Sequence, residues 1–161
     1  MRDFTITAPK GEPIMTLERI FDAPRALVWR TFVDPVHRAA WWGPHGHRNE
    51  VTDWDVSPGG KWRIVSHIPG GRIMIFIGEF REIEAPNRLV ATFGMENMYE
   101  GHTILEEHHF EETNGLTTYR GISYCDTLET RDGMLASGME VGVREGFERL
   151  DAILERLKTE G

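Results

Sequence analysis

The sequence is poor in cysteine, in long apolar runs and in positive charge. Cys125 is the one cysteine among 161 residues, so no internal disulfide can form. The longest run of apolar side chains, residues 73–77, is far shorter than the roughly 18 residues that a membrane-spanning helix needs. Residues 1–5 also lack the apolar segment of a signal peptide. We therefore expect a cytoplasmic protein without a membrane span.

Acidic side chains outnumber basic ones. Eighteen Lys and Arg stand against 26 Asp and Glu, which gives a formal net charge of −8. Such a chain repels the phosphates of nucleic acids, so nucleic acid is not expected as a partner. The sequence also contains no glycine-rich phosphate loop, nucleophile elbow or dinucleotide motif, and we expect no cofactor.

The length and the apolar content predict one folded domain. A 40% hydrophobic content with five Trp and eight Phe is sufficient to fill a core. Residues 1–13 have no clear periodicity and are interpreted as a lead-in segment, followed by a single domain over 14–158. A strand over 14–21 is followed by two helix starts. Asp22-Ala23-Pro24 predicts the first, with Asp22 as the capping side chain, and Asp34-Pro35 predicts the second.

Short segments separated by turn residues follow over 49–125, which is typical of an antiparallel meander. Asn114-Gly115 is the strongest turn signal, because this dipeptide favours a two-residue type I′ hairpin. Such a turn pairs residues whose numbers sum to 229. The resulting cross-strand pairs on one face of the sheet are Ile104 with Cys125, Glu106 with Ser123, His108 with Gly121, and Phe110 with Tyr119.

The chain ends in a predicted amphipathic helix over about 133–158. Its apolar face includes Leu150 and Ile153, and glycines recur every fourth residue beside that face, at Gly138, Gly142 and Gly146. Two interpretations of the glycines stay open. They allow either close approach of the helix to a curved sheet or a vacant volume between helix and sheet.

Several short motifs occur in an order and spacing that resemble one protein superfamily. They are Phe21-Asp22-Ala23-Pro24 with Val28-Trp29, Trp41-Trp42-Gly43-Pro44, Pro58-Gly59-Gly60, residues 78–80 with 86–89, and residues 137–140 with Arg149-Leu150. Over about Ile14 to Leu157 the chain resembles the START-like or SRPBCC superfamily, in its branch named after the C-terminal domain of the activator of Hsp90 ATPase. The resemblance implies an α+β helix-grip, or Bet v 1-like, fold. In this fold a curved antiparallel sheet wraps a long C-terminal helix, and two short helices lie between strands 1 and 2.

The resemblance also implies a kind of function. Members of this superfamily commonly hold an apolar ligand between helix and sheet, and some branches are polyketide cyclases or aromatases. Activators of Hsp90 use a separate preceding domain to engage the chaperone, whereas about 13 residues precede the first predicted strand here. We therefore expect no full co-chaperone activity.

Glu106, His108 and Tyr119 are the candidate polar groups of an internal site. The hairpin register places all three on the face that looks toward the C-terminal helix, where an unpaired carboxylate costs several kcal/mol. Gly121 and Ser123 opposite them leave volume that a tightly packed core would fill. The alternative interpretation is a satisfied buried pair or a shifted register.

Large and adaptable side chains are numerous enough to line a ligand site. Each of them is equally typical of ordinary core packing. The candidate lining residues are Trp42, Trp54, Trp62, Met74, Phe76, Phe80, Phe93, Met95, Met139 and Gly142.

Metal binding is not predicted. His45 and His47 supply two imidazoles, but His108 and His109 point to opposite faces of a strand, so three convergent ligands are lacking. Cys125 has no activating motif and is expected to be a small buried residue.

These observations favour a monomer or homodimer that binds a small apolar or aromatic molecule in an internal cavity. A cyclase, dehydratase or hydrolase that uses Glu106, His108 and Tyr119 as acid/base groups is one alternative. A protein-interaction module is the other, and an exposed apolar patch would distinguish it.

Overall fold

A computed structural model of the protein describes residues 3–96, 102 and 104–160. The elements are those of an α+β fold with eight strands and four helices among these residues. In chain order they are β1 (Thr5–Thr7), β2 (Ile14–Phe21), α1 (Arg25–Val33), α2 (Pro35–Trp41), β3 (Arg48–Trp54), β4 (Lys61–His67), β5 (Ile73–Glu84), β6 (Arg88–Met95), β7 (Ile104–Thr113), β8 (Leu116–Cys125), α3 (Leu128–Ala136) and α4 (Met139–Glu160).

The strands form one antiparallel sheet in the order β1-β2-β8-β7-β6-β5-β4-β3. Strands β3 to β8 pair in chain order as the predicted meander, and β2 closes on β8. Helix α4 buries one apolar stripe, which includes Phe147, Leu150 and Ile153, in the main core. The helix-grip arrangement, with two short helices after the second strand, is therefore confirmed.

The β7–β8 hairpin has the predicted register. Phe110 lies opposite Tyr119, and the turn residues Asn114 and Gly115 have φ values of 52° and 77°. Both values lie in the left-handed region that a type I′ turn requires. Glu106 and His108 consequently share one face of the sheet, as predicted.

The N-terminal segment contributes more than predicted. Thr5–Thr7 pairs with Thr16–Glu18 of β2, so part of the expected lead-in is an edge strand of the sheet. The Arg131 guanidinium of α3 donates to the carbonyls of Pro9 and Glu12 and holds the segment that follows β1. A three-residue strand is too short to show alternation, which is why the sequence pattern missed it.

Helices begin at both predicted starts, but only one of them has the predicted side-chain cap. The Asp34 carboxylate accepts from the backbone amide of Val36 at 2.9 Å and caps α2 as predicted. The role of Asp22 was predicted wrongly, because α1 starts after Pro24 without a side-chain cap. The Asp22 carboxylate lies instead 3.6 Å from the Lys158 ammonium group.

The predicted single C-terminal helix is two helices. The chain breaks at Ser137-Gly138 because Gly138 has a φ of +85°, a conformation that ends helices and that side chains with a Cβ rarely adopt. Gly138 therefore does not lie on α4. A Cβ on Gly146 would lie 2.9 Å from the Trp41 carbonyl oxygen, and one on Gly142 would contact Pro44 at 3.6 Å. These two glycines allow α4 to approach the end of α2.

Among the described residues, no helix combines the length and the apolar character that crossing a bilayer requires.

Candidate functional site

A polar cluster lies on the inner face of β7 and β8, beneath the helices. It consists of Glu106, His108, Tyr119 and Ser123. Glu106 is flanked on its two neighbouring strands by small side chains, Ala91 on β6 and Ser123 on β8. Small neighbours leave room above the carboxylate that a large side chain would occupy.

His108 and Tyr119 form a close pair. The His108 Nδ1 and the Tyr119 hydroxyl share a hydrogen bond of 2.6 Å, and the two rings stack with centroids 5.8 Å apart. A Cβ on Gly121 would meet the Tyr119 hydroxyl oxygen. The sequence predicted free space over His108, but Tyr119 occupies it. The tyrosine ring lies along its own strand and covers Gly121.

Glu106 has one firm hydrogen bond. The Ser123 hydroxyl donates to its Oε2 at 3.1 Å, and its Oε1 lies 4.0 Å from the His108 Nε2. Burial raises the pKa of this carboxyl above its usual range, although Ser123 and the charge of Arg38 oppose the shift. The side chain lies deep in the protein and still keeps 25% of its surface accessible.

The His108–Tyr119 pair is neutral at physiological pH. Burial, with a smaller effect of the Arg38 charge, lowers the pKa of His108 to about 3. Burial and the neighbouring Glu106 raise the pKa of Tyr119 above its usual value. A neutral imidazole and a neutral phenol can exchange donor and acceptor roles toward a bound molecule.

Arg38 completes the cluster and was not predicted. It projects from α2, is 7% exposed, and donates its Nε to the Phe32 carbonyl at 3.0 Å. Burial lowers the pKa of its guanidinium to about 10, against the opposing effects of Tyr119 and Glu106, so the group stays charged at neutral pH. Its central carbon lies 5.1 to 5.5 Å from the centroids of four rings, those of Phe32, Trp41, Trp42 and Trp54.

The rings around Arg38 are held in place by hydrogen bonds. The Trp41 indole donates to the Thr31 carbonyl at 2.8 Å, and the Trp54 indole donates to the Val33 carbonyl at 2.7 Å. Arg149 of α4 donates to three successive carbonyls, beginning with that of Trp42. The aromatic wall is therefore a fixed surface. The sequence did contain a signal for this contact. Arg38 and Trp41 are three residues apart, a spacing that places both side chains on one side of a helix.

Four of the predicted lining residues come together beside this wall. Trp42, Trp62, Phe76 and Phe93 form one group of rings with centroid distances of 5.3 to 6.2 Å. The Trp62 indole crosses Gly78, where a Cβ would meet its Nε1.

The other predicted lining residues are dispersed. Trp54 and Phe80 pack against each other at 5.3 Å. Met95 lies opposite Phe76 in the sheet, and Met74 lies opposite Ser66. Met139 packs instead on a second apolar cluster formed by Met15, Ile104, Cys125 and Met134.

Side chains that could ligate a metal do not converge in the described part of the chain, where no group of three or more His, Cys, Asp or Glu is arranged around one point. His45 hydrogen-bonds Glu148 at the surface, and His109 hydrogen-bonds Glu107 on the outer face of the sheet. Cys125 is buried, with its Sγ 3.9 Å from the Met134 sulfur, and burial raises the pKa of the thiol.

Solved structures with the same fold come from several bacteria. An Arthrobacter aurescens protein superposes with a TM-score of 0.86 at 25% identity, over 94% of this chain and 91% of that one. A Mycobacterium smegmatis protein superposes with a TM-score of 0.85 at 22% identity, over 95% and 98%. A Silicibacter pomeroyi protein named AHSA1 has a TM-score of 0.71 at 20% identity, over 92% and 99%.

No curated protein matches the chain in sequence. Residues 22–155 match the family described as Activator of Hsp90 ATPase homolog 1-like protein. That span runs from the end of β2 almost to the end of α4 and contains every residue of the polar cluster. The chain therefore belongs to the activator of Hsp90 ATPase homolog 1-like family, within the START-like superfamily.

Proposed function

We propose that the protein binds a small, mostly apolar or aromatic molecule in the interior between the sheet and α4. One observation carries this proposal. Glu106 keeps a quarter of its side chain accessible although it lies deep in the protein. Accessible surface at such a position borders interior space, and a polar group there is available to a ligand.

The surroundings of Glu106 suit a ligand with one polar end. Ala91 and Ser123 leave room beside the carboxyl, and the neutral His108–Tyr119 pair, joined by its own hydrogen bond of 2.6 Å, adds two further polar groups. The ring group of Trp42, Phe76 and their neighbours provides the apolar surface. Ligand pockets typically combine mostly apolar walls with a few placed polar groups.

The exposed apolar side chains support an internal ligand over a docked protein. Within the part of the chain that the structure describes, the exposed large apolar side chains belong to five different elements: Ile20, Val36, Ile73, Leu128 and Val141. A protein-interaction surface of the expected kind would be a contiguous patch.

The His108–Tyr119 hydrogen bond favours one second candidate function. The pair places an imidazole 2.6 Å from a phenol, two group types that transfer protons in cyclisation, dehydration or hydrolysis, while the low pKa of His108, about 3, makes it a weak base at neutral pH. Product analysis by mass spectrometry of any bound compound distinguishes this enzyme from a binding protein. Chemical change that both Glu106→Gln and His108→Phe suppress would establish catalysis.

The binding proposal is tested by thermal shift with naphthalene, 2-naphthol and indole. We expect a higher melting temperature, since a ligand at 100 times its Kd adds about 2.7 kcal/mol to stability. Ala91→Val and Ser123→Val should reduce the shift by filling the space beside Glu106, whereas Ala40→Val on the exposed side of α2 should not. An absent shift across the panel, or equal shifts in all variants, contradicts interior binding.

A further inference from the structure

We propose that the interior site takes an aromatic molecule bearing a carboxylate, and that the Arg38 guanidinium binds this carboxylate. The inference rests on the proposed interior binding and names the class of ligand.

Among the described residues, three arginines are buried, and Arg38 differs from the other two in its partners. Arg19, Arg38 and Arg131 are 4%, 7% and 6% exposed. Arg19 makes two hydrogen bonds to the carboxylate of Asp151, and Arg131 is hydrogen-bonded to two carbonyls and to Asp132. Arginine is rarely buried to this degree without such partners, so the partners of Arg38 decide its role.

The Nη1 and Nη2 atoms of Arg38 form the edge of its guanidinium that would meet a ligand. Within the described part of the chain, its Nε donates to Phe32, but neither Nη1 nor Nη2 makes a hydrogen bond. No carboxylate in that part, Glu106 included, lies within ion-pair distance. The two terminal amino groups of a guanidinium match the two oxygens of a carboxylate, which makes this edge a carboxylate site.

The electrostatics of the cluster also favour a bound carboxylate. His108 and Tyr119 are neutral at physiological pH, and burial disfavours the ionised form of Glu106. Arg38 therefore keeps its positive charge at neutral pH, while burial works against a negative charge on Glu106. A carboxylate entering the site would compensate the Arg38 charge in surroundings where water competes weakly.

The aromatic wall around Arg38 continues toward the Phe76–Phe93 pair. Trp42 contacts both parts of the site: its ring lies 5.2 Å from the Arg38 guanidinium carbon and 5.3 Å from the Phe76 ring. An apolar surface thus runs from the guanidinium to the Phe76–Phe93 pair. A molecule with its carboxylate on Arg38 can lay an aromatic body along this surface, where ring contacts add affinity.

The test compares matched acids and amides by isothermal titration calorimetry at pH 7. The pairs are 2-naphthoate with 2-naphthamide and indole-3-acetate with indole-3-acetamide. We expect the wild type to bind each acid at least about tenfold more tightly than its amide, the typical gain from a charged hydrogen-bond pair. Arg38→Gln should reduce this preference to within about twofold, whereas Arg30→Gln, a matched change of an exposed arginine on α1, should leave it unchanged.

A second measurement uses the wild-type protein and does not depend on the folding of a variant. The ¹⁵Nε–¹Hε resonance of Arg38, assigned by NMR, should shift on addition of 2-naphthoate and much less with 2-naphthamide. Equal binding of acid and amide, or a preference that survives Arg38→Gln, overturns the carboxylate inference and leaves interior binding intact. Binding of neither compound, with no shift from naphthalene or indole, overturns the interior site itself.

Discussion

Two buried arginines, one on a strand and one on a helix, show how differently one side chain can be used. Arg19 on β2 lies over the Phe21 ring at 4.6 Å and meets Asp151 of α4 through two hydrogen bonds of 2.6 and 2.7 Å. Arg38 on α2 also lies over aromatic rings, but it faces a cluster that holds no carboxylate within ion-pair distance in the described chain. The first arrangement joins helix to sheet. The second leaves the Arg38 guanidinium without an ion pair among the described residues.

The two carboxyl groups nearest these arginines differ in the same way. Asp151 is about one-third exposed and bound directly to its arginine. Glu106 is hydrogen-bonded to Ser123, and burial raises its pKa. The Asp151 carboxylate thus joins helix to sheet through its arginine, whereas burial pushes the carboxyl of the candidate site toward its neutral form.

Removing the charge of Asp151 should have the largest effect. Asp151→Asn removes the carboxylate charge that faces the buried Arg19 guanidinium, and we expect the free energy of unfolding to fall by about 2 kcal/mol, less than for a fully buried pair because Asp151 is partly exposed. Urea denaturation measures it. Glu155→Gln, at an exposed position of the same helix, is the control and should change stability little. If Asp151→Asn and Glu155→Gln lowered stability equally, the ion pair of Arg19 would not stabilise the fold, and Arg19 would not differ from Arg38 in this respect.

The contact between α4 and the wall around Arg38 should be the next most sensitive. Gly146→Ala places a Cβ 2.9 Å from the Trp41 carbonyl oxygen, so backbone must shift and stability should fall by about 1.5 kcal/mol. Gly142→Ala meets only Pro44 at an ordinary distance, and the gain in helix propensity should raise stability by up to about 1 kcal/mol. Thermal unfolding of both variants checks the opposite signs, and a loss in both would show that α4 tolerates no side chain along this line.

Acid should destabilise the site through His108. Its pKa is about 3 in the folded protein and near 6.5 when exposed, so the unfolded chain binds the extra proton as pH falls below 6.5. Stability relative to His108→Asn should therefore drop by about 1 kcal/mol at pH 5.5.

The comparison with His108→Asn isolates this proton. The raised pKa of Glu106 acts in the opposite direction, since it favours the folded state as pH falls toward the ordinary range of a carboxyl. Both proteins in the comparison retain Glu106. Parallel pH profiles of the wild type and His108→Asn would contradict the buried neutral imidazole.

Glu106→Gln should have the smallest effect on stability. The amide oxygen can accept the Ser123 hydrogen bond, so at pH 7 we expect a change within about 0.5 kcal/mol, in contrast to Asp151→Asn. Urea denaturation under the same conditions provides the comparison. A loss as large as that of Asp151→Asn would mean that Glu106 is an ionised structural partner.

Local signals predicted what depends on local chemistry. The Asn114-Gly115 turn defines the hairpin register, and the register places Glu106 and His108 on one face. The fold class followed from motif order. The break at Gly138 was missed because its glycine was counted in a series with Gly142, although a positive φ is required only at the first of the two.

The remaining features depend on contacts between distant segments. Arg38 lies on α2, while its electrostatic partners Glu106 and Tyr119 lie on strands that follow it by more than 60 residues. Tyr119 fills the space over Gly121 through the direction of its side chain, which strand alternation does not specify. The sequence thus predicted which face of the sheet a side chain occupies, but not which other side chains it contacts there.

The sheet order has a consequence for synthesis on the ribosome. Strand β2 pairs with β8, and its last residue, Phe21, lies opposite Thr117. Strands β3 to β7 can add to one another as they emerge, whereas β2 waits for almost a hundred further residues, or about 5 to 20 s at ordinary elongation rates. During this delay the edge of β2 that will later pair with β8 has no partner, and such an edge is a site for pairing with other chains. Closure of the grip around α4 is therefore a late event, and the nascent chain is most vulnerable to aggregation before β8 is made.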